Sequence, residues 1–505
     1  MLKTIIWREF LANIITFRFL FALFICVGLV GTITVVLTRS YADKLKSYHL
    51  AVQANIDNIR RIQVYSELST SGRPKADKMP RLTSILNEGV TGRVGNRVEV
   101  AHSVVPVLAT RHGTDNPYLS VFPRIDLTFV FQIVISLMAF LFAYDAVAGE
   151  REDGTLALAL SNSIPRGMLL LGKYLGGMLS LVIPLALSLL VALQVILFSP
   201  SVALSASDWG RIGLFSLVSL IYVSAFFTLG MLFSSRSRRA ATALMLTMFF
   251  WVIFVLVWPN ASAYAVSKLA PIKSDAELTM EGLSATLAKG EDFSQHPIGD
   301  LWVNQFRGEI DKYARQHGVQ SLVDALRWLT TNYFEGQAFY GDYNGPAHKL
   351  SLFRDYWKFM EELRVQYGDK TGQMRLEYLN RYPIRQARLT RKIACISPAA
   401  AYADATAILA ETDLDSHLRF LEQAKGYRNE LLQYLRDQKA FESEAWYNVE
   451  AAQKINKEAI PRFRERPEPL SSSLNRAMGD IVILVLLNVA FFLLTYLSFL
   501  RYDVR

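Results

Sequence analysis

The segment from Asp145 to Leu156 concentrates the residues best suited to bind something. Asp145, Glu150, Glu152 and Asp153 supply carboxylates around the single cation Arg151. Gly154 breaks a helix, and Thr155 can cap a new turn before the apolar stretch that begins at Leu156. A short, charged, capped helix suits docking in a groove of a partner protein. The alternative is a solvated loop between two apolar runs. The other candidates for chemistry are weaker. Gly167 to Lys173 has the spacing GxxxxGK of a phosphate-binding loop, but Tyr174 stands where Ser or Thr would hold magnesium, and no strand precedes it. Nucleotide binding is therefore not expected here. Lys173 is expected at the membrane interface, and Gly172, Gly176 and Gly177 as a close-packing helix face. His49, His102, His112, His296, His317, His348 and His417 lack HxxH, HxxxH or Cys–His spacing, so solvated surface histidines are expected rather than metal ligands. Cys26 and Cys395 are far apart and are expected as small buried hydrophobes, not as a disulfide. No Ser-His-Asp or HExxH set is evident in the spacing, so no catalytic residues are assigned.

The elements that must position the acidic segment are membrane helices. Hydrophobic residues make up 51% of the 505 and charged residues 20%, with a net charge of +9. Mean hydropathy is +0.21. That excess sits in six runs, each long enough to cross a hydrocarbon core: Phe19–Leu37, Leu127–Tyr144, Tyr174–Phe198, Ile212–Phe233, Ala240–Trp258 and Ile481–Leu500. None carries an interior Asp, Glu, Lys or Arg, and Gln132, Gln194 and Asn488 are among their few polar groups. This argues against an ion-coupled carrier. The first run lacks a cleavage site, so it is expected to be a retained anchor. Lys3, Arg8, Arg18, Arg151, Arg166, Lys173, Arg236, Arg238, Arg239, Arg501 and Arg505 all fall on one side, which places both termini in the cytoplasm. The acidic segment then opens a cytoplasmic coupling region, 145–173, and 501–505 is a tail. Residues 1–18 form an interfacial helix with Leu2, Ile6, Phe10 and Ile14 at four-residue steps and Lys3 and Arg8 toward headgroups, unless they simply extend the first span.

The expected fold is a mainly α membrane protein with six transmembrane helices and two extracytoplasmic segments. The first segment, 38–126, is mixed α/β: a helical extension from Asp43 to Leu68, a break at Ser71–Pro74, and one or two strands within Arg93–Val107. The second, 259–480, is a large helical domain. Leu350–Tyr367 and Leu414–Phe441 have helical periodicity, and Ser397 with Pro398 opens an Ala-rich helix toward Glu411. Asn344–Pro346 and Pro461–Pro469 read as loops. Residues 259–479 carry acids and bases in equal number, so the positive charge lies on the cytoplasmic side and in the first segment. The cytoplasmic part is a topology signal rather than a nucleic-acid footprint.

In this setting Glu150, Glu152, Gly154, Thr155 and Leu156, followed by Arg166, Gly172 and Lys173, resemble the signature of type-2 ATP-binding-cassette (ABC) transporter permeases. That family carries a Glu-x-Glu-x-Gly-Thr-Leu segment after its second span. The outside segments are far larger than the family norm. They are similar to a bacterial subgroup with an insert before the last span, including gliding-motility and copper-enzyme-maturation permeases, as are Ile396–Asp413 and the ending Phe499–Arg505. The resemblance implies an inner-membrane permease subunit, an exporter working as a dimer with a second permease of the same or similar chain. It also implies two copies of a separate cytoplasmic ATPase that carry the ATP and magnesium, so no cofactor on this chain. Glu150, Arg151, Glu152, Asp153, Gly154, Thr155 and Leu156, with the N-terminal helix, would meet that ATPase. The competing function is a non-transporting anchor or mechanotransmission subunit whose outside domain engages a periplasmic protein.

Overall fold

The computed structural model describes residues 1–110, 125–161, 164–200, 202–272, 297–318, 350–446 and 455–501. His112, His296, His348, the Asn344–Pro346 turn and the ending beyond Arg501 lie outside these residues.

Helix α1 (Leu2–Ile14) is a separate element rather than an extension of the first span. The backbone leaves the helix at Thr16, whose hydroxyl accepts the Phe19 N–H at 3.4 Å and starts α2 (Phe17–Arg61). With 45 residues, α2 is far longer than the roughly 20 that a bilayer needs. Its outer half continues into the first outside segment and ends at Arg61, short of Leu68; Tyr65–Ser69 is instead a 3-10 turn. Two three-residue strands follow, β1 (Lys75–Asp77) and β2 (Arg97–Glu99), antiparallel with Ala76 opposite Val98. Only β2 falls within the stretch expected to be extended.

The second span is helical from Leu127 to Ala143, with a π-helical turn at Phe131–Ile135 between α3 (Leu127–Val130) and α4 (Ser136–Ala143). The acidic segment folds into α5 (Ala148–Glu152) and α6 (Thr155–Ser161). The third and fourth spans are α7 (Arg166–Leu197) and α8 (Ala206–Arg236), the latter opened by a Ser205–Asp208 capping box. The fifth is α9 (Ala240–Trp251) running through a second π-turn into α10 (Trp258–Leu269). Between the fifth and sixth spans, in the segment expected outside, lie α11 (Arg307–His317), α12 (Leu350–Arg381), α13 (Pro383–Ala394), α14 (Pro398–Leu409) and α15 (Leu414–Asp437), and α16 (Leu470–Leu500) is the sixth span. Six helices among the described residues are long and apolar enough to cross a membrane. The protein is a mainly α membrane protein.

Helix α8 and the second span are the most enclosed of the six, and aromatic pairs such as Phe140–Phe226 and Phe131–Phe215 lock them together. Hydrogen bonds supply the adhesion that hydrophobicity cannot supply in lipid. Asn488 donates to the Ser224 hydroxyl at 2.6 Å, which also meets Tyr174 at 2.6 Å, and Trp251 donates to Ser136 at 2.8 Å. Helix α14 belongs to this bundle although it lies in the outside segment. Ala399, Tyr402, Ala405 and Leu409 share the bundle core, Tyr402 stacks on Tyr222 with centroids 4.3 Å apart, and Gln132 donates to the Ala399 carbonyl. A second core joins parts of both long segments, while Leu82 and Ile85 pack in a small third cluster with Tyr41 and Ile196. Ile59, Tyr65, Val98 and Val100 from the first segment pack with Trp357, Met360, Phe420, Leu431 and Trp446 from the second. The two outside segments are one body.

Candidate coupling site

The acidic segment is held by four helices. Asp145 pairs with Arg18 of α2 at 2.5 Å, and the same guanidinium lies over the Tyr144 ring. The Val147 and Ala148 N–H groups donate to Ser234 of α8 at 3.0 and 2.9 Å, which satisfies two free donors at the start of α5. Arg151 donates to the Ser237 carbonyl at 3.3 Å. The Glu152 carboxylate accepts the Ala240 N–H at 3.0 Å and so places a negative charge at the N-terminus of α9. Glu150 binds Lys173 of α7 at 2.9 Å. Leu156 is buried in the bundle core. Glu152 is exposed as well, and beyond it stands the tip, Asp153, Gly154, Thr155 and Leu158, the last at 69% exposure. Gly154 has φ +73°, the left-handed conformation that glycine adopts without strain, and it turns α5 into α6. The Thr155 hydroxyl donates back to the Glu150 carbonyl at 3.2 Å.

Lys173 departs most from expectation. It is buried at 2% exposure rather than turned to headgroups, and its ammonium lies between Glu150 and Glu9 of α1, the latter at 3.4 Å. Burial raises the Glu9 carboxyl above its ordinary range, while Lys173 pulls it down. The three glycines explain how α1 approaches. A Cβ on Gly172 would stand 2.5 Å from Ile5, and one on Gly176 would stand 2.7 Å from the Glu9 Cβ and 2.9 Å from the Ile6 carbonyl. Gly177 instead meets Phe227 of α8. Two glycines thus receive α1 and the third a neighbouring span. The packed face of α1 is broader than Leu2, Ile6, Phe10 and Ile14, because Ile5 and Glu9 lie on it too, while Lys3, Trp7, Arg8 and Leu11 are exposed. The signal for Lys173 was present in the sequence: Glu9 is the one acid in α1, and Lys173 opens a long apolar run that offers it no partner.

A second charged cluster joins the bundle to the outside body. Arg211, near the start of α8, is buried. It donates to the Leu409 and Glu468 carbonyls at 2.6 and 2.8 Å and pairs with Glu411 at 2.6 Å. Arg81 of the first segment reaches the same Glu411 at 3.2 Å and Glu465 at 2.9 Å. Arg476 of α16 holds Asp413 at 2.6 Å and Glu468 at 2.8 Å, and Arg419 also holds Glu468. The turn after α14 is fixed as well by Val90 donating to the Thr412 carbonyl at 2.9 Å, an approach that leaves no room for a side chain on Gly89 at φ +52°. These partners come from distant parts of the chain, so spacing could not reveal them.

Two histidines are buried, contrary to the surface expectation. His417 lies in this joint. His102 joins Ser69, 2.5 Å from its Nδ1, and Glu361, 2.7 Å from its Nε2. That is the chain of contacts of a hydrolytic triad. However, Ser69, His102 and Glu361 are all buried, Phe441 and Trp446 pack on the imidazole, and Arg364 pairs with Glu361. Burial acts to raise the Glu361 carboxyl, but Arg364 and His102 hold it below its ordinary range. The trio is a polar pin between the first segment and α12.

Six apolar helices, with α8 among the most enclosed and the acidic segment held against them, define a polytopic membrane protein. The chain belongs to the ABC-2 family of transporter proteins, whose model matches residues 3–504. It is similar to the probable ABC transporter permease protein NosY of Pseudomonas aeruginosa, 37% identical over 141 residues, 27% of this chain and 50% of that protein. The NosY protein of Stutzerimonas stutzeri is 33% identical over 126 residues, 25% of this chain and 45% of that protein. The chain spans about half the length of these curated relatives.

Proposed function

We propose that this chain is the permease subunit of an ATP-driven ABC exporter in a bacterial inner membrane. Both termini face the cytoplasm and the α11–α15 body lies outside. It works as a dimer, with a second permease of the same or similar chain, on two separate ATPase subunits that bind ATP and magnesium; the chain itself carries out no hydrolysis. The observation that carries this reading is the division of the acidic segment. Asp145, Glu150, Arg151 and the exposed Glu152 tie it to α2, α7, α8 and α9, whereas Asp153, Gly154, Thr155 and Leu158 stand at the surface beyond those ties. A partner that grips the exposed tip would move all those helix ends at once. Helix α1 moves with them through Lys173 and Glu9. The ATPase supplies the bias only through a difference in its affinity for two arrangements of the bundle.

A mechanotransmission role is the second reading, supported by the Arg211–Glu411 joint that fastens the outside body to α8. A periplasmic protein would then receive the stroke. The test is to co-purify the ATPase with the full chain and compare Gly154→Pro and Glu152→Ala with the parent. Assembly is expected to persist, while ATP-driven loss of a labelled substrate from cells falls at least about tenfold, which is about 1.4 kcal/mol of lost coupling. Unchanged coupled activity in both variants would remove the docking role. ATPase stimulation only by a periplasmic protein, without substrate movement, would favour transmission.

A further inference from the structure

The second outside segment balances its charges overall, but not locally. From Arg381 to Lys392 it carries five cations and no carboxylate. Helix α13 sorts them. Arg391 turns inward to Asp404 at 3.5 Å and to Asp480 of α16. Arg385, Arg388 and Lys392 follow at steps of three and four, which places them on one helix face, and all three are exposed. Arg388 shares its charge with the exposed Asp415 at 3.0 Å.

The position of that face relative to the bilayer is set by hydrogen bonds. The Trp258 indole donates to the Ile393 carbonyl at 3.1 Å, and the Ser397 hydroxyl donates to the Phe254 carbonyl. Both acceptors and donors lie where the apolar run of the fifth span ends. At the far end of α13, Gln386 donates to the Ala270 carbonyl at 3.0 Å, so α13 runs alongside α10, away from the membrane. Lys392 therefore stands at the level of Trp258, in the belt where tryptophan marks the interface. Arg388 is about 6 Å further out and Arg385 about 10 Å, at about 1.5 Å per residue. A headgroup layer is roughly 5–8 Å thick, and long cationic side chains reach along it. Below the cations, Ile396 is 54% exposed at a depth suited to acyl chains. The order from apolar to cationic is that of a bilayer surface.

We propose that Arg385, Arg388 and Lys392 form a binding strip for the phosphodiester headgroups of anionic phospholipids. Guanidinium forks match phosphate oxygens bidentately, and a lysine at the interface supplies a mobile point charge. The strip anchors the outside body to the membrane beside the fifth span, independently of the Arg211 joint and of which leaflet it faces.

The test uses the full-length chain reconstituted in vesicles of phosphatidylcholine and phosphatidylglycerol in equal parts. Spin-labelled lipids report which headgroup is held at the protein. Selective retention of phosphatidylglycerol is expected, weakened about fivefold per cation removed, in Lys392→Gln and further in the triple Arg385→Gln, Arg388→Gln, Lys392→Gln variant. Arg385→Lys with Arg388→Lys is expected to keep most of the preference. These positions are exposed, so an unchanged melting temperature will show that the variants fold. Equal preference in the parent and the triple variant would overturn the proposal. So would displacement of labelled phosphatidylglycerol by inorganic phosphate at matched ionic strength, because the strip would then be a free-anion site.

Discussion

At the scale of single residues, Lys173 decides more than any other position near the coupling segment. One buried ammonium serves two carboxylates, on α1 and on α5. Lys173→Met would leave Glu9 and Glu150, both half-buried, without their cation, at a cost of about 1–3 kcal/mol, below that of breaking a fully buried pair. Thermal unfolding of the purified variant should show a marked loss, and adding Glu9→Gln should recover part of it. No recovery in the double variant would mean that the two groups are not coupled. The identity of these residues was readable in the sequence, but the bond was not. Lys173 and Glu9 are separated by two complete spans, and a lone lysine before an apolar helix reads equally well as a headgroup contact.

At the scale of elements, the glycine face of α7 is the seat of α1. Gly176→Val would place side-chain atoms on the Ile6 carbonyl and the Glu9 Cβ, and backbone cannot yield as a flexible side chain can. Helix α1 should then lift from α7, read as faster amide hydrogen exchange across Leu2–Ile14 and weaker recovery of the ATPase on purification. Protection equal to the parent would show that α1 is held some other way. Element boundaries were legible where chemistry marks them. Ser397 with Pro398 opens α14, the Ser397 hydroxyl accepting the Ala399 N–H at 3.1 Å, and six apolar runs became six helices. Strand β1 was not legible, because three residues carry too little periodicity and its pairing with β2 depends on the fold between them.

At the scale of the whole molecule, the joint after α14 makes the bundle and the outside body one mechanical unit, and its charges give it an acid limit. Burial and the nearby Lys78 push the His417 imidazole down to about 4. Unfolded, it would take a proton near pH 6.5. Between about pH 6.5 and 4 the unfolded chain binds a proton that the folded chain refuses, so stability falls on acidification through that window. Burial alone would raise the Glu468 carboxyl, but hydrogen bonds from Arg476, Ser472 and Arg419 outweigh it and hold the group at about 2. Its stabilisation is present above about pH 4.5 and is lost toward pH 2. The His417 contribution should therefore lower the parent's unfolding temperature relative to His417→Gln from pH 7 to 5, on top of the opposite contribution of Asp404, which burial raises to about 7, while both proteins keep the loss below pH 4. An identical slope in the variant would place the titration elsewhere. The sequence by itself determined the membrane class, the six spans and the family, because apolar length and the Glu150–Leu156 signature are local properties of the chain. Only the tertiary structure decided which charges face inward at Lys173 and Arg211, that His102 and His417 are buried, and that both outside segments share one core. Those facts depend on contacts between residues hundreds of positions apart, and burial is set by what packs on a residue rather than by its type.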